Sequence, residues 1–519
     1  MHQPDQTSGA TTPMWLATAD RPTFEPLRQS ATVDVVVIGG GIAGLTTAYL
    51  LAAEGRLVAV VEDGEIGSGE TGRTTAHLSN ALDDRFYHLE KLFGEEGARL
   101  AADSHGQAIN RIESIVREEN IDCGFRRLDG FLFLPKGGRE QELDDELAAA
   151  HRAGLTGVER RPDSGTRGFS TGPCLRFPNQ GQFHILQYLH GLARAIGQRG
   201  SRIYTHTRAT EIHVIDQEAR VVTQGGAELR ARHVVVATNT PFNDRVVMHT
   251  KQAPYRTYVV AARVPHGAIA PALYWDTADP YHYVRLQEIP QTAAGGAAYD
   301  LLIVGGEDHK TGQEENPEER LRCLEEWTRE RFPQVEQINF RWSGQVMEPV
   351  DALGFAGRNP LDADNVYIIT GDSGHGMTHA TLGAMIVTDL IQDRSNPWAQ
   401  LYDPGRITPS LDTAKEFLKE NLNVAAEYTD LLTGGDVSKA EEIAPGSGAV
   451  LRRGLSKVAV YRDPQGQTHE CSAICPHLGC VVHWNNLEKS WDCPCHGSRF
   501  SALGELMNGP ADRGLAPAE

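Results

Sequence analysis

The chain has 519 residues, a formal net charge of −20 and 40% hydrophobic residues. This length predicts about three domains of roughly 150 residues each, and the acidic charge disfavours nucleic acid and anionic membrane surfaces as partners. The polar, Pro-containing start has no apolar h-region, and no run of about 18 apolar residues occurs, so the sequence predicts no membrane span and favours a cytoplasmic location. An oligomer remains possible.

Changes in composition divide the chain into four segments. Residues 1–30 form a polar leader, and residues 31–395 form a large body in which helices and strands alternate. Residues 396–431 are a linker with one amphipathic helix over about 413–429. Residues 432–519 contain short strands and turns with closely spaced Cys and His, which is typical of a small β domain.

One βαβ unit opens the body. A β-branched run at 33–38 predicts a strand buried on both faces, an Ala/Leu-rich segment at 42–54 predicts a helix, and 57–61 predicts a second strand. The later predicted elements are a polar helix over 139–153, strands at 232–238, 281–286 and 366–370, and a helix over 378–391.

The turn of this unit carries the glycine pattern of a dinucleotide site. Gly39 permits the tight turn, Gly41 lets the backbone approach a pyrophosphate, and Gly44 lets the helix pack closely on the strand. Glu62 closes the second strand, where a carboxylate accepts hydrogen bonds from a ribose. A glycine-rich structural turn is the alternative for the pattern alone, and Glu62 argues against it.

These motifs resemble the glutathione-reductase-type FAD fold, and within it the D-amino-acid-oxidase-like family that includes glycine and sarcosine oxidases. The resemblance covers residues 31–395, and its carriers are 35–45, 234–239 and 371–378. It implies an α/β FAD-binding fold, built from about 31–85, 170–250 and 350–395, with an α+β substrate domain built from about 86–169 and 251–349.

The resemblance also implies which residues contact FAD. The expected contacts are Gly39, Gly41, Ile42, Ala43, Gly44, Glu62, Asp63, Ser68, Arg73, Thr74, Thr75, Ala209, Ala237, Thr238, Gly371, Gly374, His375, Gly376 and Met377. A surface charge in a loop is an equal alternative for Arg73. Some relatives attach FAD covalently through a histidine, but the spacing of His77 differs from theirs and favours an ordinary loop residue.

A second motif lies near the C-terminus, where five of the eight cysteines fall between Cys471 and Cys495. Cys475 and His477 form C-x-H, and Cys493 and His496 form C-x-x-H. Two thiolates on one iron and two imidazoles on the other make a Rieske-type [2Fe–2S] cluster. A zinc site with two Cys and two His is the alternative, but the pairs lack the usual C-x2-C or H-x3-H spacing.

Residues 432–519 resemble the Rieske domain of cytochrome bc complexes and ferredoxins. The resemblance implies a disulfide between Cys480 and Cys495, and a hydroxyl at Ser498 that raises the cluster potential by bonding a cluster sulfur. The tyrosine usual in that family is replaced by Phe500, so one further hydrogen bond is expected to be absent. Residues 509–511 resemble the proline loop that covers the cluster.

The predicted substrate pocket lies on the strands of the body. Tyr281, Tyr283 and Arg285 share one face of a strand by period-two alternation, and His309 with Lys310 follows another strand. Our candidate catalytic residues are Tyr281, Tyr283, Arg285, His309 and His375. Simple core packing is the alternative for the aromatic residues.

Two departures from the family bear on the substrate and on oxygen use. Residues 342–349 contain no arginine to bind a substrate carboxylate, and residues 301–305 contain no lysine of the kind that promotes reaction with oxygen in sarcosine-oxidase-like relatives. A free α-amino acid is therefore doubtful, and a dehydrogenase is favoured. Asp372, His375 and His379 resemble an oxygenase iron triad, but their spacing is too short and the FAD fold already uses this segment.

The sequence thus predicts an FAD-dependent dehydrogenase that oxidises a C–N bond of a small amine or amino-acid derivative. Electrons would pass singly through the Rieske cluster to an external acceptor, or arrive from an external donor. The alternatives are an oxygen-using oxidase with a structural Rieske domain, and a redox relay or sensor without a small substrate.

Overall fold

The structure is a computed structural model and describes residues 8–20, 22–243, 247–289, 298–314 and 316–518. In these ranges no helix is long and apolar enough to cross a membrane. The elements of residues 8–427 are, in chain order, α1 (Met14–Thr18), β1 (Ala31–Thr32), β2 (Val35–Ile38), α2 (Ile42–Ala53), β3 (Val58–Val61), β4 (His77–Leu78), α3 (Phe86–Glu118), β5 (Arg126–Phe133), α4 (Glu140–Arg152), β6 (Glu159–Arg161), β7 (Cys174–Gln182), α5 (Ile185–Gln198), β8 (Arg202–Tyr204), β9 (Ala209–Ile215), β10 (Glu218–Thr223), β11 (Glu228–Ala231), β12 (His233–Val236), β13 (Gln252–Pro265), β14 (Leu273–Asp276), β15 (His282–Ile289), β16 (Tyr299–Lys310), α6 (Pro317–Arg331), β17 (Gln337–Pro349), β18 (Phe355–Arg358), β19 (Val366–Thr370), α7 (Gly376–Ile391) and α8 (Leu411–Glu427). The C-terminal strands are β20 (Ser447–Arg453), β21 (Ser456–Arg462), β22 (Thr468–Ser472), β23 (His483–Asn485), β24 (Ser490–Asp492), β25 (Arg499–Ser501) and β26 (Leu506–Asn508).

A six-stranded sheet of order β18-β19-β12-β2-β3-β8 forms the centre of the body. Its middle strands β12, β2 and β3 pair in parallel and are buried on both faces except at His233, as their β-branched runs predict. The glycine turn after β2 therefore opens at the carboxyl edge of a parallel sheet, where ligands of open α/β sheets bind.

A nine-stranded, mostly antiparallel sheet forms the second layer. Its path is β17-β13-β16-β15-β14-β5-β7-β4, with β6 paired to β7. The long strands β13, β16 and β17 are paired antiparallel. Several residues of this sheet line the cavity described below. A separate four-stranded sheet has the order β1-β11-β10-β9.

The C-terminal domain holds two small antiparallel sheets, β20-β21-β22 and β23-β24-β25-β26. It packs directly on the body. A Cβ at Gly312 of the body would lie 2.9 Å from the Pro494 nitrogen, and one at Gly497 would lie 2.6 Å from the Pro254 Cβ. Glycine at both positions therefore permits backbone contact between the two parts.

The leader is not a free polar tail over the residues that the structure describes. Met14 and Trp15 are fully buried, and the Trp15 indole N–H donates to the Thr74 carbonyl at 2.7 Å. The sequence does not predict this burial, because the few apolar residues of the leader are isolated among Thr, Ser and Pro and follow no periodic pattern.

The predicted elements are found with small shifts at their ends. Helix α8 begins at Leu411, two residues before the predicted start, because the Ser410 side chain accepts a hydrogen bond from the Thr413 amide and caps the helix. Helix α3 was not predicted, although it has 33 residues. It is largely polar and interrupted at Gly94, whose φ is 73°, so a regular apolar period is weak.

Candidate functional site

A cavity extends past the glycine turn after β2, and residues of the C-terminal domain form part of its wall. The glycines fit a cofactor cradle, since a Cβ at Gly39 would lie 2.3 Å from the Ala237 carbonyl oxygen and one at Gly44 would lie 2.0 Å from the Gly39 carbonyl oxygen. Only glycine permits these approaches. The backbone of the turn therefore leaves space beside the start of α2, where free helix N–H groups bind phosphate. The residues present therefore fit the pyrophosphate of FAD.

Most of the predicted FAD contacts line this cavity. They are Gly39, Gly41, Ile42, Ala43, Glu62, Asp63, Arg73, Thr74, Thr75, Ala209, Ala237, Thr238, Gly371, Gly374, His375, Gly376 and Met377. The Glu62 carboxylate accepts hydrogen bonds from the amides of Gly40 and Gly64 at 2.5 and 2.9 Å. Burial and the neighbouring Asp63 raise the pKa of Glu62 well above its ordinary value.

Two predicted contacts, Gly44 and Ser68, are not among the lining residues. Gly44 faces the strand and has the packing role assigned to it, whereas Ser68 is buried in the turn after β3. Thr71 also lines the cavity, although no sequence motif indicated it, and its hydroxyl accepts a hydrogen bond from the Ile42 amide at 3.2 Å.

Arg73 differs most from its prediction as a flavin contact. It borders the cavity, but its guanidinium binds Glu488 of the C-terminal domain at 3.1 Å and the carbonyl oxygens of Ser343, Gly9 and Thr11. The surface-charge alternative also fails, because the side chain is 2% exposed. Arg73 instead joins the leader, the body and the C-terminal domain.

The opposite end of the cavity carries Tyr281, Tyr283 and His375 among its lining residues. The Asp83 amide donates to His375 Nε2 at 2.8 Å, so this imidazole is neutral with its proton on Nδ1. Burial lowers the pKa of His375, in agreement with the neutral form. Asp83 and Asp308 also line this end, although no sequence pattern indicated them.

Arg285 and His309, predicted as substrate residues, do not line the cavity. Arg285 donates to the carbonyl oxygens of Ala76 and Phe183 and lies over the Trp15 ring. The alternation along β15 is as predicted, but at Arg285 that face meets the buried leader rather than open space. His309 contacts the Tyr258 hydroxyl at 2.8 Å, and the following Lys310 forms an ion pair with Glu420 of α8.

His77 also lines the cavity, and both ring nitrogens have polar neighbours. Nδ1 lies 3.0 Å from the Thr75 hydroxyl and Nε2 lies 3.3 Å from the Val284 carbonyl oxygen. Burial, followed by the nearby Arg285, lowers the pKa of His77 to about 3.

The four predicted cluster ligands lie on two loops of the same design. In each loop a glycine four residues after the cysteine donates its amide to the cysteine carbonyl, Gly479 to Cys475 at 3.0 Å and Gly497 to Cys493 at 3.1 Å. Both glycines have positive φ, 84° and 78°, which favours glycine. The thiols of Cys475 and Cys493 are hydrogen-bonded to each other, which brings the two loops together.

The histidines of the two loops are likewise adjacent. The rings of His477 and His496 have their centroids 5.0 Å apart. The Nδ1 of His496 is buried and has no hydrogen-bond partner among the described residues. Two neighbouring thiols, two neighbouring imidazoles and this unsatisfied nitrogen fit the Cys2His2 ligand set of a Rieske [2Fe–2S] cluster.

Cys480 and Cys495 form the disulfide that the resemblance implied. The Sγ atoms of this pair and of Cys493 lie within 4.8 Å of one another, so the disulfide lies beside a cluster ligand. The Ser498 hydroxyl contacts the Cys475 thiol and accepts from the Ala511 amide at 3.0 Å. Phe500 is fully buried at the tyrosine position.

The C-terminal domain forms part of the cavity wall. Residues 506–509 and 511–512, which include most of the expected proline loop, line the cavity. Gln345 of β17 also lines it, and its side-chain N–H donates to the Gly497 carbonyl at 3.1 Å, in the cluster loop between His496 and Ser498. One residue therefore touches both the FAD cavity and the cluster loop.

His249 of the body is a further contact that the sequence did not reveal. Its ring centroid lies 4.8 Å from that of His477 and 5.9 Å from that of His496. The side chain is 3% exposed. The cluster histidines thus face the body.

An α/β dinucleotide fold with this cavity, joined to a two-loop Cys2His2 domain, defines a flavoprotein with a Rieske cluster. Family models agree with both parts: FAD dependent oxidoreductase matches residues 34–390, and the Rieske [2Fe-2S] domain matches residues 435–518. The chain belongs to the FAD dependent oxidoreductase family and carries a Rieske domain. It is an oxidoreductase, and its cofactors are FAD and a [2Fe–2S] cluster.

One relative matches both parts of the chain, and two others match about the first three quarters of its length. The chain is 31% identical over 510 residues to YhfW of Bacillus subtilis, named for a Rieske 2Fe-2S centre, and the match covers 96% of each chain. It is 27% identical to gamma-glutamylputrescine oxidoreductase of Escherichia coli over 71% of this chain and 86% of the relative. The crystal structure of glycine oxidase from Geobacillus kaustophilus shares the fold, with 18% identity, a TM-score of 0.56, and coverage of 73% of this chain and 100% of that one.

Proposed function

We propose that the protein is an FAD-dependent dehydrogenase that oxidises a C–N bond of a small amine or amino-acid derivative and delivers electrons singly to an external acceptor. FAD supplies hydride acceptance from the carbon next to nitrogen, and the Rieske cluster supplies one-electron exchange. The observation that carries the proposal is the shared wall of the cavity, in which Gln345 contacts both the FAD site and the cluster loop.

Side chains that line the cavity would position the substrate. Tyr281 and Tyr283 line the substrate end with their ring centroids 5.4 Å apart, and both hydroxyls are engaged, with Asp83 and with Thr257. This leaves apolar ring surface for the carbon skeleton of a substrate and excludes water from it. The neutral His375 offers an N–H at Nδ1 without adding positive charge.

Two alternatives are less well supported. An oxygen-using oxidase of the sarcosine-oxidase type would have a lysine at the flavin, whereas no described residue that lines the cavity is a lysine. A relay protein without a small substrate would give no role to the unsatisfied Oδ1 of Asp308, which lines the cavity beside Tyr283.

The substitution Cys475→Ser separates a dehydrogenase from an oxidase. Loss of one thiolate ligand should remove the cluster while FAD remains bound, because the two ligand sets share no residue. After photochemical reduction under anaerobic conditions, we expect reoxidation of the flavin by cytochrome c to slow about tenfold or more, a barrier change of roughly 1.4 kcal/mol. Stopped-flow absorbance measures this rate.

Cys471→Ser is the matched control, because Cys471 is a buried thiol of the same domain outside the ligand set. It should retain the cluster and the wild-type rate. Unchanged reoxidation by cytochrome c in Cys475→Ser, with the same yield of peroxide in air as the wild type, would instead favour the oxidase.

A further inference from the structure

We propose that the substrate binds as a cationic amine that lacks a carboxylate on the reacting carbon, and that the carboxylates of Asp83 and Asp308 hold its ammonium group. This inference rests on the proposed function, because it specifies the class of molecule that is oxidised. It is carried by two carboxyl groups at the substrate end of the cavity, and by the ion pairs that engage the two arginines among the described lining residues.

Asp308 is near the end of β16, and it lines the cavity beside Tyr283 and Thr257. Its Oδ1 is buried and has no hydrogen-bond partner among the described residues. Burial raises the pKa of this carboxyl to about 7, and the nearby carboxylate of Asp83 adds to the shift. The carboxyl has a hydrogen bond with Thr257, but its Oδ1 is left unsatisfied. A buried carboxylate with an unsatisfied oxygen is unfavourable, and a bound cation would relieve that cost.

Asp83 lines the same end of the cavity from the segment before α3. Its Oδ2 accepts from the Tyr281 hydroxyl at 3.2 Å and lies 3.5 Å from His375 Nε2. That nitrogen already accepts the Asp83 amide proton, so the neutral imidazole does not neutralise the carboxylate. The rings of Tyr281 and Tyr283 lie beside the two carboxylates, and aromatic faces also attract ammonium groups.

Among the described residues that line the cavity, no arginine or lysine is free to bind a substrate carboxylate. The described residues that line the cavity include two arginines, Arg73 and Arg208. Arg73 is paired with Glu488, and Arg208 is paired with Asp63 at 2.7 Å. The charged groups around Asp308 that are not in the cavity, His282 and Glu307, pair with each other at 3.7 Å.

Two neutral donors of the described residues line this end. They are the Nδ1–H of His375 and the indole N–H of Trp275, which has no partner among the described residues. Neutral donors bind an anion less strongly than a cation does, so they do not outweigh the repulsion between an anion and two carboxylates. A neighbouring cavity is also acidic, because Asp84 and Glu348 line it. The Ser373 hydroxyl donates to both of these carboxyl groups.

Binding of non-reactive probes to the FAD-loaded full chain tests the proposal. Tetramethylammonium has no nitrogen lone pair and cannot be oxidised as an amine; tert-butanol is its neutral analogue of similar shape, and acetate is the anionic probe. Isothermal titration calorimetry at about pH 8.5, where an Asp308 carboxyl of pKa about 7 is ionised, should give an affinity for tetramethylammonium at least about tenfold above that for tert-butanol. Acetate should bind most weakly.

Asp308→Asn and Asp83→Asn should each weaken tetramethylammonium binding about tenfold and leave tert-butanol unchanged. Glu288→Gln, an exposed carboxylate on the adjacent strand, is the control and should bind like the wild type. Preserved flavin absorbance and melting temperature would show that each variant is folded. Stronger binding of acetate than of tetramethylammonium, or unchanged affinity in both Asp variants, would overturn the proposal.

These results are independent of the proposed electron route. Failure of tetramethylammonium to bind, while the cluster is still reduced from the flavin, would reject the substrate class and leave the dehydrogenase intact. Binding of tetramethylammonium with a cluster that stays oxidised beside reduced flavin would have the opposite meaning.

Discussion

At the scale of single residues, Glu488 is the group whose charge matters most to the assembly of the two parts. Its carboxylate is fully buried, lies 3.1 Å from Arg73 and 3.9 Å from Arg256, and accepts from the Thr11 amide at 3.0 Å. Burial alone would raise its pKa, but the surrounding arginines outweigh burial and lower the pKa to about 2.

Glu488→Gln should therefore lower the free energy of unfolding at neutral pH by about 3–5 kcal/mol, because it leaves buried arginines without their partner. Since the pKa is lower in the folded state, the stabilisation is present above the ordinary pKa of about 4.5 and is lost as the pH falls toward about 2. The difference in melting temperature between variant and wild type should shrink over that interval. Glu505→Gln, an exposed position in the same domain, should change stability by less than about 0.5 kcal/mol, and an equal loss in both variants would contradict this role.

Residue patterns in the sequence predicted the groups that are close in the chain or that carry a specific chemistry. The glycines, Glu62 and the cluster ligands belong to short motifs with fixed spacing. Arg73 and Glu488 are 415 residues apart, and no local pattern indicates their contact. Arg285 lies on the predicted face of its strand, but whether that face meets a cavity or buried core depends on Trp15, which comes from the distant leader.

At the scale of elements, β17 connects the two cofactor sites. Gln345 lines the cavity, donates to the Gly497 carbonyl at 3.1 Å and accepts from the Thr311 hydroxyl at 3.1 Å. Gln345→Leu keeps the approximate size and removes both bonds. Because the contact between the cavity wall and the cluster loop is lost, we expect electron transfer from flavin to cluster to slow about fivefold, a barrier change of about 1 kcal/mol, with unchanged FAD and iron content.

Flash photoreduction followed by absorbance at the cluster bands would measure that rate. Gln313→Leu is the matched control, because Gln313 bonds to Asn423 of the linker helix rather than to the cluster loop. A wild-type rate in Gln345→Leu would remove this residue from the route.

The strands and helices near the site were mostly predictable because their apolar residues follow recognisable patterns. Strands β2, β3 and β19, for example, are short apolar runs and are buried throughout. The way in which the sheets meet was not predictable. Asp308 is near the end of β16, and its position in the cavity follows from the pairing of β16 with β13 and β15. Register between strands that are distant in the chain leaves no local signal.

At the scale of the whole molecule, the Rieske domain packs directly against the body. Arg73 and Glu488 form one buried contact, the cluster histidines face His249, and residues 506–509 and 511–512 form part of the cavity wall. The family resemblances predicted two cofactor modules, but their arrangement against each other depends on contacts that neither module makes in isolation.

The central claim is that electrons pass from the flavin to the cluster within one polypeptide. The most direct measurement is the rate at which the Rieske EPR signal appears after anaerobic photoreduction of the flavin, followed by rapid freezing over a wide range of protein concentrations. We predict that flavin bleaching precedes the signal and that the rate does not depend on concentration. A cluster that stays oxidised beside reduced flavin, or a rate proportional to protein concentration, would contradict the account.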